Sequence, residues 1–168
     1  LFGWDRINQT YYLISGSSVL KPGEGYWLWA YYHCSLIIHS DVRGDGYITR
    51  LQTGWNIMGQ TYNATLAQTN LIVVYKGIAY PWANATSTHN PEGQPLIVPS
   101  IFNWDSSTQS YGLTTQFAPG EGDWMYAYFN CSIRQRIEPP SIIDNSADTT
   151  GTGNHYICNA TVSVPDGV

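Results

Sequence analysis

Residues 20–34 read L-K-P-G-E-G-Y-W-L-W-A-Y-Y-H-C, and residues 117–131 read F-A-P-G-E-G-D-W-M-Y-A-Y-F-N-C. In both stretches proline fixes φ and the glycines accept positive φ, so Pro-Gly-Glu-Gly marks a sharp turn. The aromatic and small apolar run that follows is strand material. It is too densely aromatic for a simple in/out alternation, which leaves two readings: a strand covered on both faces, or a strand with one face left for recognition.

The echo reaches upstream. Trp4-Asp5 matches Trp104-Asp105, Gln9-Thr10-Tyr11 matches Gln109-Ser110-Tyr111, and Leu13 matches Leu113. The offset is 100 over these pairs and 97 from the turn onward, so a three-residue deletion falls in the intervening loop. A folded repeat tolerates deletion there. The chain therefore carries an internal duplication.

Length and composition bound what the duplication can build. A chain of 168 residues buries one good core or two small ones. With 11% charged and 14% aromatic residues and a net charge of -5, its surface is made largely of Ser, Thr, Asn, Gln and Tyr. That is unlike the surface of a typical cytosolic enzyme. The seven Lys and Arg are scattered and leave no electrostatic footprint for nucleic acid or an anionic membrane. No apolar run has the length of a membrane span, and a start at Leu1 with neither signal peptide nor initiator methionine reads as a processed or partial product.

Five Asn-X-Ser/Thr sequons occur, at Asn8, Asn63, Asn84, Asn130 and Asn159. Chance placement in a chain of this composition gives about two. The excess points to an extracellular glycoprotein with N-linked glycans. Cys34, Cys131 and Cys158 fit an oxidising exterior, with one disulfide among them and one thiol left to pair with another chain or with a missing segment. No Cys-x-x-Cys or Cys/His spacing points to zinc, and no cofactor motif is present.

Taken in order, residues 1–38 hold the second half of a repeat unit: a Phe-Gly-Trp-Asp entry, a strand over 11–15, a polar loop, the turn and the aromatic strand. Residues 39–50 read as a linker. Asp41, Asp45, Gly46 and Ile48 fall at calcium-loop positions, yet Arg43 takes the third ligand position and Gln52 the twelfth, so this is a turn with incidental acids. Residues 51–133 form a complete unit, opened by Gly54-Trp55-Asn56-Ile57-Met58-Gly59 and continued by a β-branched strand over 71–76 and a polar loop over 80–94. No sustained helical period with caps appears anywhere. The expected fold is all-β: two related small β-sandwich- or barrel-like domains, followed by an extended tail over 134–168 with a terminal strand at 155–164.

The order Gly-Trp-Asn-Ile-Met-Gly, then Trp-Asp with a following Tyr, then Pro-Gly-Glu-Gly-Tyr-Trp or its Asp-Trp variant, resembles a β-repeat of secreted and cell-surface proteins of archaea and bacteria, including large surface-layer-type polypeptides. The resemblance covers 51–133 in full and 1–38 as a half unit. It implies an extracellular structural or adhesive role.

Three functions compete. An enzyme finds little support: His33, His39, His89 and His155 are scattered, and no Gly-x-Ser-x-Gly, His-Glu-x-x-His or phosphate loop occurs. Glu24 with Glu121, and Asp5 with Asp105, repeat with the fold, which points to backbone hydrogen bonding in turns instead of a single catalytic pair. A carbohydrate-binding or adhesive module would use Trp27, Trp29, Trp124 and Tyr126, with Tyr31 and Tyr128, as flat apolar faces for sugar rings. A non-catalytic structural subunit fits best: a filament, sheath or surface layer built from copies of this chain. The tail strand at 155–164 has no local partner in the sequence, so it is expected to dock on an open edge of the first unit, in its own chain or in a neighbour, with Cys158 free to bridge Cys34 or Cys131.

Overall fold

The computed structural model describes residues 1–16, 18–35, 37, 48–62, 64–136, 141–144 and 160–163. The fold is all-β. Its strands are β1 (Phe2–Asp5), β2 (Thr10–Leu13), β3 (Ile48–Leu51), β4 (Gly54–Gly59), β5 (Leu66–Ala67), β6 (Leu71–Tyr75), β7 (Ile78–Pro81), β8 (Ile101–Asp105), β9 (Ser110–Thr114), β10 (Gln116–Phe117), β11 (Gly122–Ala127), β12 (Cys131–Gln135), β13 (Ser141–Asp144) and β14 (Ala160–Ser163).

Two four-stranded antiparallel sheets, ordered β4-β11-β8-β9 and β3-β12-β6-β7, share one core. Alternation builds it: Met58, Met125, Ala127 and Ile101 come from the first sheet, and Leu51, Leu71, Val73 and Ile133 from the second. Side chains of period two on facing sheets make a sandwich, and the sheets do not close into a barrel. The β6–β7 hairpin turns on Lys76 and Gly77, at φ 50° and 81°, a pair of left-handed residues of the kind two-residue hairpins need. Within 80–94, read from the sequence as a polar loop, Trp82–Ala85 form one helical turn that drives Trp82 and Ala85 into the core.

Three expectations need correction. The linker expected over 39–50 ends earlier, because Thr49 and Leu51 alternate into the core and make Ile48–Leu51 an edge strand beside β12. The terminal strand has a partner close by: Ala160–Ser163 pairs antiparallel with Ser141–Asp144. The tail thus supplies its own two-stranded ladder, and residues 155–159 lie outside the described residues. Finally, the two copies of the aromatic run differ. Residues 122–127 are a strand between β4 and β8. Their counterparts in the first copy, residues 25–30, make one bridge, Trp27 with Phe2, beside a second at the preceding Glu24 with Met58, and no strand forms over 28–35.

Physical contact with neighbours explains the last difference. In the second copy β4 covers one edge of β11, while β8 and then Leu96 and Val98 cover the other through Val98 N–H to Tyr126 C=O and Tyr128 N–H to Leu96 C=O, both 2.9 Å. Among the described residues the first copy has a counterpart only for β8, namely β1. A run with the same sequence preference is a strand where its ladder is filled and irregular where it is not.

Candidate interaction surface

The first unit is held against β4 by three devices. Gly25 N–H donates to Ile57 C=O at 3.2 Å, and Gly59 N–H donates to Gly23 C=O at 3.1 Å, so the Pro-Gly-Glu-Gly turn pairs with the β4 edge opposite β11. A Cβ on Gly25 would lie 2.1 Å from Ile57 Cγ2, which is why glycine is required at this approach. Further along the same edge, the Gln9 carboxamide serves as a peptide group: its Oε1 accepts from Trp55 N–H at 2.7 Å and its Nε2 donates to Trp55 C=O at 3.1 Å. Trp4 Nε1 also donates to Trp55 C=O, at 2.7 Å. Arg6 ties the turn down by pairing with Glu24 and donating to Arg50 C=O.

A layer of rings lies over this edge. Trp4, Tyr11 and Trp124 form one cluster, with centroids 4.9 Å apart for Trp4–Tyr11 and Trp4–Trp124 and 6.3 Å for Tyr11–Trp124. Trp104, Tyr111 and Trp27 form a second, at 4.8, 4.9 and 6.5 Å in the same order. Each cluster takes a Trp-Tyr hairpin from one unit and the turn tryptophan from the other. The two units are therefore related by a pseudo-two-fold axis, with equivalents contacting equivalents across it. Tyr11 and Tyr111 meet at the axis, and burial, followed by the nearby Tyr111, raises the pKa of Tyr11.

The repeated carboxylates are divided by this geometry. Asp5 and Asp105 sit in equivalent turns, where Asp5 Oδ1 accepts from the N–H groups of Ile7 and Asn8 and Asp105 Oδ1 from those of Ser107 and Thr108. Side-chain hydrogen bonds lead in lowering both, from Asn8 to Asp5 and from Ser107 to Asp105, and Asp105 is held at about 2. Glu24 and Glu121 have side-chain partners instead, Arg6 for the first and Asn103 Nδ2 at 2.9 Å for the second. The open cleft of about 450 Å³ is lined by Trp4, Arg6, Lys21, Glu24 and Arg50, of which Arg6 and Glu24 are paired with each other and Trp4 donates to Trp55 C=O.

Of the sugar-stacking candidates, Trp27, Trp124 and Tyr126 are part-buried and in tilted or edge-on ring contacts, Tyr126 with Trp55 at 5.3 Å and Tyr128 at 5.3 Å. Trp29 stands apart at 58% exposure, beside Tyr31 and Tyr32 at 86% and 85%. Asn8, Asn84 and Asn130 are exposed, whereas Asn63 and Asn159 lie outside the described residues. Cys34 is an exposed free thiol and Cys131 a buried one, its pKa pushed up to about 12 by burial; Cys158 lies outside the described residues. Among the described residues no His, Cys, Asp and Glu group has metal-ligand geometry, and no helix is long and apolar enough to cross a membrane.

Sequence reasoning missed Asp123. It is fully buried in β11, its Oδ2 has no hydrogen-bond partner among the described residues, and desolvation lifts its pKa to about 7. The signal was present: Asp123 replaces Tyr26 at the one variable position between the second glycine and the tryptophan of the duplicated turn. Compared with known proteins, the chain matches no family model, no curated relative and no solved structure, so the repeat rests on its own internal symmetry.

Proposed function

We propose that this protein is a non-catalytic structural subunit of an extracellular filament, sheath or surface layer, glycosylated on its sequons and assembling with copies of itself. One observation carries the reading: the duplicated motif contacts its other copy within the chain through equivalent tryptophans and tyrosines. The sequon excess and the composition, low in charged residues and rich in aromatic and hydroxyl side chains, agree with an extracellular setting. Sedimentation and negative-stain imaging over a hundredfold range of concentration test it. Open-ended polymers are expected, and a monomer throughout overturns the reading.

A second reading, a carbohydrate-binding module, draws on the exposure of Trp29, Tyr31 and Tyr32. Selective retention on a glycan array, lost in Trp29→Ala, would favour it.

A further inference from the structure

We propose that the first unit carries a preformed seat for an extended polypeptide strand of the Gly-Trp-Asn-aliphatic-Met-Gly pattern, the pattern of Gly54–Gly59. The pseudo-two-fold axis defines both the seat and its occupant. In the second unit that strand lies along β11, with Trp55 opposite Tyr126, and is clamped from outside by Gln9 and Trp4. Rotation about the axis exchanges Gln9 for Gln109, Trp4 for Trp104 and Tyr126 for Trp29.

Gln109 is already set for this task. Its φ of 52° equals that of Gln9, and its Nε2 donates to Ser106 C=O at 2.7 Å as Gln9 Nε2 donates to Arg6 C=O at 2.6 Å. What differs is the other side: among the described residues neither the Gln109 Oε1 nor the Trp104 Nε1 has a hydrogen-bond partner, whereas their equivalents grip Trp55. The run that would pair with the strand is uncovered to match. Leu28 is 48% exposed where its equivalent Met125 is fully buried, and Cys34 is exposed where Cys131 is buried. One carboxamide that can donate and accept, one indole donor, an uncovered apolar run and an open edge in one place specify strand addition, with the two polar groups fixing register at the incoming tryptophan.

This goes beyond the assembly reading and does not rest on it: Gly54–Gly59 of every copy is already paired with β11 and buried at Asn56, Ile57 and Met58, so the occupant is a separate polypeptide strand of this pattern. The seat itself is filled by any peptide of the right pattern. The test therefore uses a synthetic peptide with the sequence of residues 51–61, added to the full chain, and follows calorimetric binding together with alkylation of Cys34. The expected result is saturable one-to-one binding, Cys34 protected at least tenfold, and affinity reduced tenfold or more in both Gln109→Asn, which retains a residue tolerant of positive φ, and Trp104→Phe. Circular dichroism of both variants confirms that they fold. Absence of binding at millimolar peptide, equal binding of a scrambled peptide, or affinity unchanged in both variants overturns the proposal. A chain that polymerises but ignores the peptide loses the seat and retains the assembly reading; one that binds the peptide yet stays monomeric does the reverse.

Discussion

Trp4 meets Trp124 edge-on with centroids 4.9 Å apart, and their equivalents Trp104 and Trp27 meet at the same 4.9 Å. The two contacts are one contact seen twice, since the duplication maps each pair onto the other. Edge-to-face pairs contribute about 0.5–1.5 kcal/mol beyond area burial. Double-mutant cycles with Leu replacements at 4 and 124, and at 27 and 104, should return coupling energies in this range that agree within about 0.5 kcal/mol. Coupling in one pair with none in the other would mean that the symmetry is geometric only.

The two equivalent glutamines should behave differently in the isolated chain. Gln9→Asn keeps a residue that accepts positive φ but cannot span the distance to Trp55, whose N–H and C=O lose two partners. The expected cost is about 1 kcal/mol, with faster hydrogen exchange at the Trp55 amide. Gln109→Asn, with no Trp55 counterpart to release, should change stability by less than about 0.5 kcal/mol. Equal losses at both positions would show that only the turn geometry matters.

Asp123 should make stability fall as pH rises. Its folded pKa, about 7, lies above the ordinary 3.8, with desolvation the main cause, Asn103 opposing and Glu121 adding to it. The folded state therefore retains a proton that the unfolded chain releases, so its contribution is fully present below pH 4 and is lost between about pH 4 and 7. The loss is on the order of 2–4 kcal/mol. Urea titrations at pH 4, 5.5 and 8 should show Asp123→Asn with a flatter profile and greater stability than wild type at pH 8. An unchanged slope would place the carboxyl in a more hydrated setting.

The duplication, the all-β character, the strand over 71–76 and the turn role of Asp5 and Asp105 were legible because each is a local matter of residue type and spacing. The state of residues 28–35 was not. The two runs share their residue preferences and differ only in what lies alongside, and ladder partners are non-local. The same applies to the tail, where the pairing of β13 with β14 joins residues across a connector that the sequence shows only as breaker-rich. Asp123 marks the opposite case: a single substitution in a repeated motif announces a special position, but only burial reveals its charge state.

Alkylation should separate the two described cysteines by orders of magnitude. Cys34 is exposed, while Cys131 combines burial with a thiol pKa near 12, so almost none of it is thiolate at neutral pH. Iodoacetamide at pH 7.5 should label Cys34 within minutes and Cys131 only after denaturant is added. Comparable native rates would show that the β12 end of the core opens readily.

Among the described sequons, hydrogen bonding separates sites that exposure alone treats alike. At Asn8 the nitrogen that would carry the glycan, Nδ2, donates to Asp5 Oδ2 at 2.7 Å inside a turn that also positions Gln9. At Asn130 the bonding runs through the other atom: Oδ1 accepts from Thr53 N–H at 2.8 Å and Thr53 Oγ1 at 3.1 Å, which leaves Nδ2 available. Asn84 is exposed on the helical turn. Glycopeptide mapping of native material should therefore find higher occupancy at Asn84 and Asn130 than at Asn8. Asn130→Gln should cost about 1 kcal/mol even in unglycosylated protein, because the longer side chain misplaces the carbonyl that holds the β3–β4 connection. If Asn8 proves the most heavily modified, the turn bond must form after modification or not at all, and hydrogen exchange at Asn8 would then distinguish those two cases.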